Sequence, residues 1–214
     1  MPSPTTTLLF QGDSITDVGR SRQDNESHSP FALGAGYAKI VAGRLLYEQP
    51  EKHWKIYNRG VSGNRVVDVY ARIGSDILHL KPNILSLLIG VNDTGARFFF
   101  NNGVSVPKYE KIYRLLLGEV REAIPDIQLF LGEPFVLPGE RTNEEWFAEI
   151  KDRQKIVHRI AGDFHGTVIP FGQAFAAALQ KRPPEYWSQD GIHPTAAGHY
   201  LMAETWWKAF QSKP

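Results

Sequence analysis

Short apolar runs recur along the chain, at residues 7–12 (TLLFQG), 54–58 (WKIYN), 84–90 (ILSLLIG), 127–132 (IQLFLG) and 167–171 (TVIPF). Most are continuously apolar rather than alternating, which is the pattern of strands buried on both faces. Between them, apolar residues fall at helical spacing over 36–48, 65–80, 107–124, 143–162, 172–180 and 195–210. Lys81-Pro82 closes the second helix, and Pro107 opens the third, which stops before Pro125. The alternation predicts an α/β fold, a parallel sheet of five strands covered on both faces. Crossovers in such a sheet are right-handed. All strands then point one way, and every strand-to-helix loop lies at their carboxyl edge, where open α/β sheets bind ligands.

The chain's 214 residues suit one domain, 1–214, with no internal repeat or long linker. A hydrophobic share of 42% and a charged share of 22% are ordinary for a globular protein. The net charge of +1 gives no field that points to nucleic acid or an anionic membrane. With no cysteine, disulfides, thiolate zinc sites and a cysteine nucleophile are all excluded. The start, MPSPTTTLLFQG, has neither a basic region nor a long apolar core, and no stretch approaches a membrane span. As given, the chain reads as cytoplasmic; a secreted protein whose signal peptide had been removed would look the same.

Three predicted loops share the carboxyl edge. The first strand leads into Gly12-Asp13-Ser14, the second into NRGVSGNR (58–65) and the third into GVNDTG (90–95). Acyl transfer needs a nucleophile, a base and donors for the developing oxyanion. Ser14 supplies a hydroxyl and its own N–H, Gly63 an unobstructed N–H, and Asn92 a carboxamide N–H. Gly, Asp and Ser are also ordinary turn and cap residues, so the corner alone has a plainer reading. The segment SQDGIHPTAAGH (188–199) carries Asp190 three residues before His193. That spacing lets the carboxylate fold back onto Nδ1 and leaves Nε2 free for Ser14. His199, inside the last helical run, reads as a packing or cap histidine. Asp13 and Asp17 are each placed to bond loop N–H groups, and Asp17 reads as a brace of the loop, not as catalytic.

In order along the chain, GDSI, the glycine of GVSG, GVND and DGIHP resemble the blocks of the GDSL esterases, also called SGNH hydrolases. The matching residues are Ser14, Gly63, Asn92 and His193, with Asp190 completing the triad. The resemblance implies a flavodoxin-like three-layer α/β/α sandwich and ester hydrolysis through an acyl-serine, with no cofactor. GDSITDVGRSR, LGAGYAKIVAGRLL, NRGVSGNRVVDVYAR, KPNILSLLIGVND and HPTAAGHYLMA are similar to the acetylxylan-esterase branch of that family. That branch removes acetyl groups from plant-polysaccharide fragments and can assemble into symmetric homo-oligomers. The implied partner is a small soluble ester such as an acetylated oligosaccharide. One position departs from the branch: Gln189 stands where an aromatic residue precedes the triad aspartate, with Trp187 two residues further back.

Other aromatic residues carry open alternatives. Tyr186 and Trp187 either stack on a sugar ring or anchor their own loop. Phe98, taken as a substrate contact, belongs to a run with Phe99 and Phe100 that walls the pocket, packs beneath the loop or meets another subunit. Of the adjacent Trp206 and Trp207, one is expected in the core and the other partly exposed. There is no P-loop, no H-E-x-x-H and no compact cluster for a metal. There is also no G-x-S-x-G elbow. Alternatives to the sugar esterase are a short-chain aryl esterase, a lysophospholipase-type enzyme, and a non-catalytic module that binds a sugar or anion at the same edge.

Overall fold

The computed structural model describes residues 5–23, 29 and 31–212; the first four residues of the start read for a signal peptide lie outside it. Strands β1 (Thr7–Gly12), β2 (Lys55–Asn58), β3 (Ile84–Leu88), β4 (Gln128–Gly132) and β5 (Thr167–Ile169) pair in parallel in the order β2-β1-β3-β4-β5. Around them run α1 (Ser14–Asp17), α2 (Tyr37–Glu48), α3 (Val66–Ala71), α4 (Val91–Phe100), α5 (Val106–Ala123), α6 (Glu144–Asp163), α7 (Phe171–Ala178), α8 (Pro184–Trp187) and α9 (Ala196–Gln211).

Side chains on successive strand residues point to opposite faces, so the sheet divides two cores. Leu8 and Phe10 join the core built with α2, α7 and α9, whereas Leu9 joins the one built with α3, α5 and α6. The result is the expected three-layer α/β/α sandwich. Trp206 of α9 lies across the sheet. Its ring is tilted on Phe10 and Phe130 and stacked on Phe210, and its Nε1–H donates to Ser86 Oγ at 3.0 Å. Trp207 is also buried, against the expectation that one of the pair is partly exposed. Arg44 of α2 covers it, with the guanidinium carbon 4.1 Å from the ring centroid.

Two further expectations need correction. The helix expected over 65–80 breaks after Ala71 and continues as a wider, π-type turn over Gly74–Leu78. At the break, the Arg72 side chain reaches back to Asn64 Oδ1 and forward to Asp76. The loop expected over 90–95 shrinks to Ile89 and Gly90, because α4 begins at Val91.

The strand order reverses between β1 and β3, and the crevice at such a reversal is where this topology binds ligands. The two strands meet closely there. A Cβ on Gly12 would lie 2.3 Å from the Leu88 carbonyl oxygen, so only glycine lets the chain leave β1 beside β3.

Candidate active site

The corner after β1 is built by capping. Asp13 adopts an extended conformation at the N-cap of α1, and its Oδ1 accepts the Ile15 N–H at 3.0 Å. Ser14, the first residue of that helix, therefore has an N–H with no partner among the described residues. Burial pushes the Asp13 carboxyl up from 3.8 to about 7, against the Ile15 N–H, and the charge of Asp93 adds to the rise. Asp93, in the first turn of α4, is likewise raised to about 7 by burial, although Arg153 and the Val66 N–H pull the other way.

The loop after β2 is held from below. Val61 N–H donates to Gly12 O at 3.0 Å, which ties the loop to the end of β1. A turn from Val61 to Asn64 then carries Gly63 at φ +82°, in the left-handed region that favours glycine. The Gly63 N–H has no partner among the described residues. Asp17 braces this turn as the sequence suggests, with Oδ2 accepting both the N–H and the hydroxyl of Ser62 and the Arg22 guanidinium. Asn92, in the first turn of α4, donates one Nδ2 hydrogen to Asn64 O at 3.1 Å, and the other has no partner among the described residues.

The segment before α9 folds around Asp190. Its Oδ1 accepts the backbone N–H groups of Ile192 and His193 at 2.9 and 2.8 Å, and its Oδ2 meets His193 Nδ1 at 2.7 Å. The intervening Gly191 takes φ +85°, and a Cβ there would lie 2.5 Å from Leu137 O. Burial works against ionisation of Asp190. The His193 N–H and ring and the Ile192 N–H outweigh it, and they hold the carboxyl at about 2. His193 Nε2 lies 3.0 Å from Ser14 Oγ, which closes a chain from serine through imidazole to carboxylate.

His199 plays no part in this chain. Its Nδ1 accepts the Tyr37 N–H at the start of α2, which matches the cap role among the packing and cap roles expected of it, and burial pushes it down to about 4.

Beside Gly63 and Asn92 opens a recess of about 260 Å³, also lined by Arg65, Gly95, Phe99 and Phe100. Phe98 does not reach it, contrary to its reading as a substrate contact. Its ring stacks on Trp146 of α6, with centroids 5.5 Å apart and planes at 18°. Helical spacing explains the difference, since the next two residues turn toward the rim. Nor do Tyr186 and Trp187 line the recess. Trp187 anchors its loop through Nε1–H to Arg182 O at 3.3 Å, and Tyr186 is exposed beside it. The roles of Phe99, Phe100 and Arg65 at the recess have no signature in the sequence beyond the phenylalanine run. Among the described residues, no group of three acidic or imidazole side chains could hold a metal ion. A larger groove of about 540 Å³ runs between α7, β5 and α9 and contains none of these groups.

A hydroxyl hydrogen-bonded to an imidazole that a carboxylate orients, next to uncommitted N–H donors, can transfer an acyl group. On a parallel sheet of this order, such an arrangement fits the class of acyl hydrolases. The chain belongs to the GDSL-like lipase/acylhydrolase family, whose sequence profile matches residues 10–201. It is 34% identical to an acetylxylan esterase of Geobacillus stearothermophilus over 200 residues, covering 92% of this chain and 90% of that enzyme. Among solved structures it is similar to a GDSL-like lipase candidate from Parabacteroides merdae, with 36% identity, TM-score 0.95 and coverage of 100% and 99% of the two chains. The Geobacillus acetylxylan esterase superposes with TM-score 0.88 at 30% identity, covering 100% of this chain and 98% of that one. Family and relative together support carboxylic ester hydrolysis.

Proposed function

We propose that the protein removes acetyl groups from carbohydrate esters, xylo-oligosaccharides among them, through an acyl-Ser14 intermediate. The observation that carries this reading is the continuous chain Ser14 Oγ–His193 Nε2 and His193 Nδ1–Asp190 Oδ2. In the first half-reaction, His193 takes the Ser14 proton as Oγ attacks the ester carbonyl carbon. The negative oxygen that forms is stabilised by the N–H groups of Ser14, Gly63 and Asn92. The carbon–oxygen bond to the sugar then breaks, and His193 returns the proton to the departing alkoxide. Water repeats the sequence on the acyl-serine and releases acetate. Asp190 keeps the imidazole in the tautomer that presents a bare Nε2 to serine and stabilises the imidazolium.

The substrate assignment is supported by the acetylxylan-esterase relative and by the modest recess beside the donors. The experiment is a comparison of kcat/KM for acetate, butyrate and octanoate esters of one leaving group, alongside acetate release from acetylated xylo-oligosaccharides. Ser14→Ala serves as the inactive control. The reading expects steep loss with chain length and acetate from the sugars. Rates that climb with chain length, with no acetate released, point instead to a lipid or aryl esterase.

A further inference from the structure

Residues 137–142, between β4 and α6, form a strap laid directly on the segment that carries Asp190. Leu137 N–H donates to Gly191 O at 2.8 Å, and Arg141 N–H donates to Asp190 O at 3.3 Å. Thr142 Oγ1–H closes the strap on itself through Leu137 O at 2.7 Å. The two backbones approach so closely that a Cβ on Gly139 would lie 2.5 Å from Gly191 N and 2.6 Å from the Asp190 carbonyl carbon.

From this strap the Arg141 side chain turns back toward the triad acid. Its Nη1 lies 3.7 Å from Asp190 Oδ2, the same oxygen that holds His193 Nδ1. That distance is too long for a hydrogen bond but close enough for an ion pair. The guanidinium carbon also sits 5.5 Å from the centroid of Phe99, at the recess. Arg141 thus links the acid of the triad to a wall of the pocket, although it contacts neither Ser14 nor His193.

We propose that Arg141 is a positioning residue that tempers the pull of Asp190 on the proton of His193. This rests on the Ser–His–Asp reading above. Each time His193 accepts the serine proton it becomes an imidazolium. Asp190 favours that cation, whereas a guanidinium beside the same carboxylate oxygen opposes it. Without Arg141 the carboxylate acts on the ring unopposed, so the base stays protonated, and idle, to a higher pH. The groups that face the imidazole are Asp190 and His199 from its own segment, Ser14 from the corner after β1, and Arg141 through the carboxylate. His199 is buried and uncharged at working pH, so Arg141 is the cation in this set. Its side chain is 53% exposed, so the influence is modest and screened by salt.

The test is kcat/KM for p-nitrophenyl acetate against pH, for the wild type, Arg141→Met and Arg141→Lys. Each is measured at about 10 mM and about 1 M salt, where the Debye length is roughly 30 and 3 Å. At low salt the acidic limb of Arg141→Met is expected to move up by about half a pH unit. Arg141→Lys should keep the limb in place, and high salt should merge the curves. A purely structural residue would lower the plateau and leave the limb where it was. The proposal is overturned by a limb in Arg141→Met that coincides with the wild type at low salt. An equal shift in Arg141→Lys, or one that persists at high salt, overturns it too. Turnover that survives in Ser14→Ala would strike the triad reading itself, whereas a stationary limb in a Ser14-dependent enzyme strikes Arg141 alone.

Discussion

Asp17 and Ser62 are joined twice: the backbone N–H and the hydroxyl of the serine both donate to Asp17 Oδ2, each at 3.0 Å. The aspartate is buried, and the serine immediately precedes Gly63. One carboxylate oxygen therefore sets the height of the turn that offers the Gly63 N–H. Asp17→Ala is expected to lower kcat about tenfold or more, with KM little changed, because loss of donor geometry is felt in the transition state. Stability should fall by about 1–3 kcal/mol, as Ser62 and Arg22 lose their acceptor. Steady-state kinetics with a denaturant titration separates the two effects. Unchanged kcat in a destabilised protein would reduce Asp17 to a structural brace.

Asn92 is held by Asn64 O through one amide hydrogen, and the proposed mechanism assigns the other to the oxyanion. Asn92→Ala should reduce kcat by roughly 10²–10³-fold, the scale for one such donor. A rise in KM with kcat intact would move Asn92 from transition-state stabilisation to substrate binding.

Asp190→Asn replaces a carboxylate that meets four hydrogen-bond partners, Ser188 Oγ, Ile192 N, His193 N and His193 Nδ1, with an amide that presents only one acceptor atom. By analogy with serine-protease triads, the loss in kcat should be on the order of 10⁴-fold. The carboxyl sits at about 2 in the fold against 3.8 as its ordinary value. Its contribution to stability is therefore complete above 3.8 and is lost as pH falls toward 2. Acid unfolding of Asp190→Asn should accordingly show a shallower pH dependence in that window than the wild type.

The buried Asp13 carboxyl gives the opposite sign. At about 7 in the fold and 3.8 ordinarily, it makes the folded state hold more protons between those values. Its contribution to stability is full below 3.8, declines as pH rises toward 7 and is level above. His199, lowered to about 4 from 6.5, opposes this over part of the range, so the measurement must be a difference. Asp13→Asn keeps a capping oxygen and removes the titration. Measured by thermal melting, the variant should gain stability relative to the wild type between pH 5 and pH 8. A constant difference across that interval would mean that Asp13 stays ionised throughout.

The strands are legible in the sequence because each is short, most are nearly continuously apolar, and each is closed by glycine, asparagine or proline at or soon after its end. The meeting of Asp190 with His193 is legible for a different reason: three residues of separation confine the pair to one turn. Helix α4 is not legible, because Gly95 and the polar NDT segment read as a loop. The glycine is there for packing, since a Cβ on it would lie 2.8 Å from the Trp146 ring of α6. The burial of Trp207 depends on Arg44, 163 residues earlier in the chain, which no local pattern reports. Arg141 is hidden for a similar reason, since its position over Asp190 depends on how closely two loop backbones approach.

The acid and the base of the site belong to one short stretch of chain, knitted by three hydrogen bonds, and the serine is 179 residues away from the base. The proposed catalytic constellation is thus two pieces with a single seam, the contact from Ser14 Oγ to His193 Nε2. The helix that follows His193 is fixed to the far piece by Trp206 on Ser86 and by His199 on the start of α2. On the proposed mechanism, turnover is in effect a gauge of whether the segment from Asp190 onward is seated on the remainder of the polypeptide.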